Sequence, residues 1–136
     1  MYKSIQIRGI IFAGLAVILG AFGAHALKVL IPIDRLQIFE TGVRYQFFHA
    51  IGLIVLSLSL SNIQNQADVE ITSKWMHRAA LAMTIGIILF SGSLYILAIS
   101  NLLPFTISAF IGPITPIGGL FFITGWTCWG IAIFRG

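Results

Sequence analysis

A chain of 136 residues that is 58% hydrophobic and 9% charged, with a mean hydropathy of +1.00, exposes too much apolar surface for water; soluble domains carry roughly a quarter charged residues. The surplus must face lipid, and because a spanning helix takes about 20 apolar residues, four spans consume most of the chain and exclude an added soluble catalytic domain. The formal charge of +4 does not indicate nucleic acid, since the eight basic residues are scattered singly rather than gathered into a patch.

The first span is expected from about Gly9 to Leu30. Lys3 and Arg8, the apolar run that follows and the triplet Ala24-His25-Ala26 imitate a cleavable secretory signal. Apolar character resumes at Val29 to Ile33, so the segment reads as a permanent span instead. Ala16, Gly20 and Ala24 recur at four-residue intervals and form a stripe of small residues where another helix can approach closely.

The second span is expected from about Thr41 to Ile63. Before it, Asp34 is placed to act as an N-cap, Gln37 as its reciprocal partner, and Ile33 with Ile38 as a hydrophobic staple. One unbroken helix from Arg35 to Ile63 would rise about 43 Å, more than the hydrocarbon thickness. A short interfacial helix before the second span, with a bend near Gly42, relieves the excess.

From Ala79 to Phe134 there are 56 consecutive residues without Asp, Glu, Lys, Arg or His. That run is long enough for two spans, about Ala79 to Ser100 and Ile117 to Phe134. Between them Asn101, Pro104, Pro113 and Pro116 break helical hydrogen bonding, so the Pro/Gly-rich stretch is expected as a loop or re-entrant segment packed against the other helices. Cys128, the only cysteine, lies in an apolar run rich in tryptophan and reads as a small buried residue. Alone it makes neither an intramolecular disulfide nor a cysteine-based metal site.

The expected fold class is therefore an all-α membrane protein, with residues 1–136 forming one four-helix transmembrane domain. An even number of spans puts both ends of the chain on one side, with Lys3, Arg8, Lys74, Arg78 and Arg135 there against Lys28, Arg35 and Arg44 opposite. Five against three favours cytoplasmic termini. Trp75, Trp126 and Trp129 are expected as interfacial anchors.

With that topology, the outer half of the membrane collects the polar residues. His25 and Lys28 end the first span, Glu40, Arg44, Tyr45, Gln46 and His49 open the second, Ser91, Ser93 and Tyr95 lie in the outer half of the third, and Thr115 precedes the fourth. Glu40 and Arg44, four residues apart in the favourable order, are candidates for an ion pair. Ionisable groups at membrane depth are costly and point to a functional site; near the interface they also snorkel to headgroups. His25, His49 and Glu40 have the ligand types of a metal site but not a tight spacing, and the serines lack a nucleophile motif. Neither a metal, a cofactor nor a catalytic residue is assigned.

The strings Phe22-Gly23-Ala24-His25, Phe39-Glu40-Thr41-Gly42-Val43-Arg44-Tyr45-Gln46-Phe47-Phe48-His49-Ala50, Phe90-Ser91-Gly92-Ser93-Leu94-Tyr95 and Thr115-Pro116-Ile117-Gly118-Gly119 occur in this order along the chain. With them it resembles the membrane family called domain of unknown function 423, to which animal transmembrane protein 256 is also similar. The resemblance covers nearly the whole chain and implies a small four-helix protein, in bacteria of the cytoplasmic membrane, with no activity or cofactor to carry over. Ala26 stands where the family pattern would have glycine.

Three functions compete. The leading one is a non-enzymatic protein whose outer polar cluster binds membrane lipids, another membrane protein or a second copy of itself. An oligomeric small-solute transporter or channel is the second, suggested by proline and glycine between Asn101 and Gly119. The third is a lipid- or quinone-directed enzyme with His25 or His49 as base and Arg44 as anion holder.

Overall fold

The computed structural model describes residues 2–63, 69–103 and 108–135, residues 69, 108 and 109 by their backbone alone. Among these residues four helical stretches are long and apolar enough to cross a membrane: Tyr2–Val29, Ile33–Asn62, Glu70–Leu102 and Ile114–Arg135. The first is helix α1 (Tyr2–His25) followed by a 3-10 turn at Leu27–Val29. The second is α2 (Ile33–Asn62). The third runs through α3 (Val69–Gly86), a π-helical turn (Ile87–Ser91), α4 (Gly92–Ile99) and a 3-10 turn at Ser100–Leu102. The short α5 (Ser108–Ile111) leads to α6 (Ile114–Arg135), the fourth. The chain is thus an all-α integral membrane protein with four spans.

Several local expectations are corrected. No separate interfacial helix precedes the second span: α2 is continuous from Ile33 and passes through Gly42. Its N-cap is Pro32, in extended conformation, whose carbonyl accepts the Leu36 N–H at 3.0 Å. Asp34 is therefore already inside the first turn, where its charge favours the positive end of the helix dipole. Gly42 is buried against the Tyr95 ring and Leu94, so it serves close packing and not a bend. With 30 residues, α2 rises about 45 Å, and its ends must project past a hydrocarbon core of about 30 Å or the helix must tilt.

The fourth span starts at Ile114, three residues before the expected Ile117, with Pro116 in its first turn. Proline is tolerated there because the first helical N–H groups have no partner in the helix anyway. Pro104 lies outside the described residues. Ala26 has φ −93° and ψ −48°, a conformation open to any L-residue, so alanine costs the turn nothing.

Helix pairs α1–α2 and α3–α6 make the most extensive contacts, and α2 joins the pairs by packing on α4. The expected stripe Ala16, Gly20, Ala24 is rotated. The residues of α1 that are buried are Ile5, Gly9, Ala16 and Gly23, and with the partly buried Phe12 and Leu19 they recur every three or four positions, the 3.5-residue period of helices that coil together. Ala24 is exposed. At Gly9 a Cβ atom would come within 2.7 Å of Ile54 and 2.9 Å of the Ala50 carbonyl, which shows how closely the two backbones approach.

The second pair is tighter still where the π turn meets α6. A Cβ at Gly118 would strike the backbone nitrogen of Phe90 and lie 2.7 Å from its Cα. Leu53, Leu56, Met76, Ala79, Met83, Phe122 and Cys128 fill the core between the pairs, and a smaller cluster of Leu27, Leu36, Phe39 and Ala98 closes the end where α1 stops. In lipid such packing, not hydrophobic exclusion, holds helices together.

Gly118→Ala should cost about 1–3 kcal/mol, because the obstacle is rigid backbone and not a mobile side chain. Gly130→Ala, where open space surrounds the added atom, should leave stability unchanged or slightly raised. Unfolding in mild detergent followed by circular dichroism compares the two.

Candidate functional site

Of the polar residues expected as one outer cluster, Gln46, His49, Ser93, Tyr95 and Thr115 form a series of stitches between helices. Gln46, 4% exposed, is the hub. Its amide NH2 donates to the Phe12 carbonyl of α1 at 2.9 Å, and its amide oxygen accepts the Tyr95 hydroxyl of α4 at 2.8 Å. One side chain on α2 thereby ties three helices together. Ser93 Oγ lies 2.7 Å from Thr115 Oγ1 and donates to the Phe90 carbonyl at 2.8 Å, which joins α4 to α6.

His49, 6% exposed, points to α6. Its Nδ1 is 2.7 Å from the Tyr45 carbonyl, which only accepts, and its Nε2 is 3.1 Å from the indole Nε1 of Trp126, which only donates. The ring is therefore the neutral tautomer with its proton on Nδ1, and it stacks on Phe122 with centroids 3.5 Å apart. Both nitrogens are occupied, which leaves no lone pair for a metal or for proton abstraction. Trp126, expected as an interfacial anchor, spends its N–H inside the bundle.

Arg35 and Arg8, counted in the sequence as flanking charges on opposite sides of the membrane, also work inside the protein. Arg35 Nη1 donates to the Leu97 carbonyl and to Ser100 Oγ, both at 2.8 Å, and so caps the end of α4 where carbonyls lack helical partners. Arg8 Nη1 reaches Thr84 Oγ1 of α3 at 3.1 Å. A signal for the first existed: the third span ends before Pro104 with no glycine to terminate it, so a donor had to come from elsewhere. Nothing in the sequence pairs Arg8 with Thr84 or Trp126 with His49, because both depend on how the helices are rotated.

The remaining candidates separate. His25 and Lys28 are exposed at the end of α1 and in the turn that follows. Ser91 is fully buried in the π turn, and its Oγ has no hydrogen-bond partner among the described residues. Glu40 and Arg44 are exposed and do not pair: among the described residues the only carboxylate–cation contact within 4.0 Å is Lys74 to Glu70, at 2.7 Å. An exposed pair gains little, commonly below about 1 kcal/mol, against the entropy of two long side chains. Arg44 and His49, five positions apart on α2, lie about 140° apart around it at 100° per residue. The His49 alternative for the base of the enzyme reading therefore faces a different way from its anion holder.

Glu40 and Arg44 belong instead to a groove of about 510 Å³ between α1 and α2. Its walls are Ala16, Val17, Gly20, Ala21 and Gly23 from α1 and Phe39, Val43 and Phe47 from α2. Small residues on α1 leave the space, since at Gly20 the nearest neighbour to an added Cβ is Val43 at 3.4 Å. Among the described residues no three His, Cys, Asp or Glu side chains come together in a way that would hold a metal.

Tyr95→Phe removes the donor to Gln46 and should cost about 0.6 kcal/mol, at most about 1.7, the range for single hydrogen bonds between membrane helices. In a double-mutant cycle with Gln46→Leu the two losses should be non-additive. Additive losses would mean that the bond contributes nothing.

The motifs singled out in the sequence meet in succession. Phe22 and Gly23 pack on Phe39, Gly42 and Gln46 on Tyr95, and Phe90 and Ser93 on Gly118 and Thr115. No solved structure matches the chain. Among curated proteins it is 43% identical over 124 residues to the UPF0382 membrane protein YwdK of Bacillus subtilis, covering 91% of this chain and 90% of that one. It is 36% identical over 133 residues to a UPF0382 membrane protein of Staphylococcus epidermidis, covering 98% and 97%. With the UPF0382 inner membrane protein YgdD of Escherichia coli it shares 37% over 120 residues, 88% of this chain and 78% of that protein. The family model described as protein of unknown function DUF423 matches residues 19–119, the stretch that contains all four motifs, and the chain belongs to that family.

Proposed function

We propose that this is a non-enzymatic protein of the bacterial cytoplasmic membrane that binds a membrane amphiphile in the groove between α1 and α2. The observation that carries the reading is the composition of that groove: apolar walls, with a cation and an anion on one of them that do not pair with each other. Its volume of about 510 Å³ falls in the usual range for small-molecule sites, and such sites combine apolar walls with few polar groups. Catalysis and transport have weaker support. The neutral, doubly bonded His49 and the Ser93–Thr115 pair are committed to joining helices.

The occupant is a lipid, with a partner helix as the alternative on the same surface. Gly20→Phe fills the groove from α1 while leaving the buried face of that helix intact. Lipid extracted from the purified wild-type protein and measured by mass spectrometry should include about one tightly held molecule per chain, and the variant should lose it. Equal retention would refute the groove as the site, and a co-purifying protein in place of lipid would replace the reading with partner binding.

For orientation, the five-against-three charge bias supports a placement of both ends of the chain in the cytoplasm. A green fluorescent protein fused after Gly136 should fluoresce, while alkaline phosphatase fused there should stay inactive. The opposite pattern reverses the orientation.

A further inference from the structure

The groove has an order along its length as well as a composition. α1 ends and α2 begins at the same end of the bundle, where the turn Leu27–Val29 links them. Among the groove residues of charge, Glu40 therefore lies nearer the water at that end and Arg44 one helical turn deeper, with Phe47 of the same wall deeper again. Four residues of helix separate the two charges by about 6 Å along the axis. From the surface inward the groove offers an anion, then a cation, then an apolar trough.

We infer that the groove recognises a phospholipid whose headgroup carries a primary ammonium outside its phosphate, as a phosphoethanolamine headgroup does. This inference rests on the lipid-binding reading above. In such a lipid the ammonium is outermost, the phosphate lies beneath it and the acyl chains follow. That sequence of charges is the complement of Glu40, Arg44 and the trough. Arg44 holds the phosphate oxygens with its planar fork of donors. Glu40 accepts hydrogen bonds from the ammonium. Because Glu40 and Arg44 do not pair with each other, both are available to the headgroup.

The chemistry separates three lipids with the same acyl chains. Phosphatidylglycerol has the phosphate but no ammonium, and leaves Glu40 facing a hydroxyl headgroup. Phosphatidylcholine has a quaternary ammonium with no N–H to donate. Phosphatidylethanolamine satisfies both residues.

The full chain, reconstituted in nanodiscs containing equal parts of the three lipids and released for native mass spectrometry, should retain phosphatidylethanolamine over each of the others by about fivefold, the scale of one exposed ion pair. Glu40→Gln should keep a bound lipid but bring the ratio over phosphatidylglycerol to about one, and Arg44→Gln should weaken all three. Both positions are exposed, so neither change disturbs the core, and circular dichroism checks the fold. Lipid held without preference, or a preference that survives Glu40→Gln, overturns the headgroup assignment while leaving lipid binding in place. Loss of all lipid from the wild type, or a second polypeptide in the groove, overturns both.

Discussion

The amide of Gln46 is a polar group at membrane depth, where an unmet donor or acceptor costs far more than at a protein surface. Its two ends need partners of opposite kind, and α1 and α4 supply one each: the Phe12 carbonyl and the Tyr95 hydroxyl. That requirement constrains three helices at once, since no rotation of α2 can satisfy the amide while moving either neighbour. Gly42, one turn away, lets the Tyr95 ring lie close enough to reach. The other stitches follow the same logic, with His49 held to Trp126 and Ser93 to Thr115, so that α6 is bound to α2 and α4.

Glycine provides the second half of the design. Where lipid tails are as apolar as the side chains, helices gain from packing surfaces closely and not from leaving water. Gly9 brings α1 onto α2, and Gly118 brings α6 onto the backbone of the π turn. The π turn bulges the helix just where α6 has no side chain to oppose it. Buried Ser91 in that turn has an unsatisfied hydroxyl among the described residues, a local cost consistent with a segment shaped by its neighbour and not by its own hydrogen bonding.

These bonds also reassign the polar residues. Those that looked most like chemistry in the sequence, His49, Ser93 and Tyr95, hold helices together, while the exposed Glu40 and Arg44 are left facing lipid beside a groove. In a bundle this thin, a buried hydrogen-bonding group often has a neighbouring helix within reach, so burial consumes Gln46, His49, Ser93 and Tyr95 and leaves the lipid-facing Glu40 and Arg44 available to a ligand.

What the sequence determined by itself is the number of spans and their approximate positions, because hydropathy over about 20 residues reports directly on a hydrocarbon core of fixed thickness. It also marked the end of the bundle where polar residues gather, since charge and hydrogen-bonding capacity are visible in residue type. Only the tertiary structure decided what each of them does. Glu40 and Arg44 read as an ion pair by spacing but share a groove without pairing with each other; Arg35 read as an outer flanking charge but caps α4; Ala24 read as part of a packing stripe but is exposed. Each of these depends on the rotation of one helix about its axis relative to another. A residue turns 100° from its neighbour, so a single-position change in how two helices meet exchanges a buried partner for a lipid-facing side chain. Hydropathy, which averages around the helix, does not register that angle.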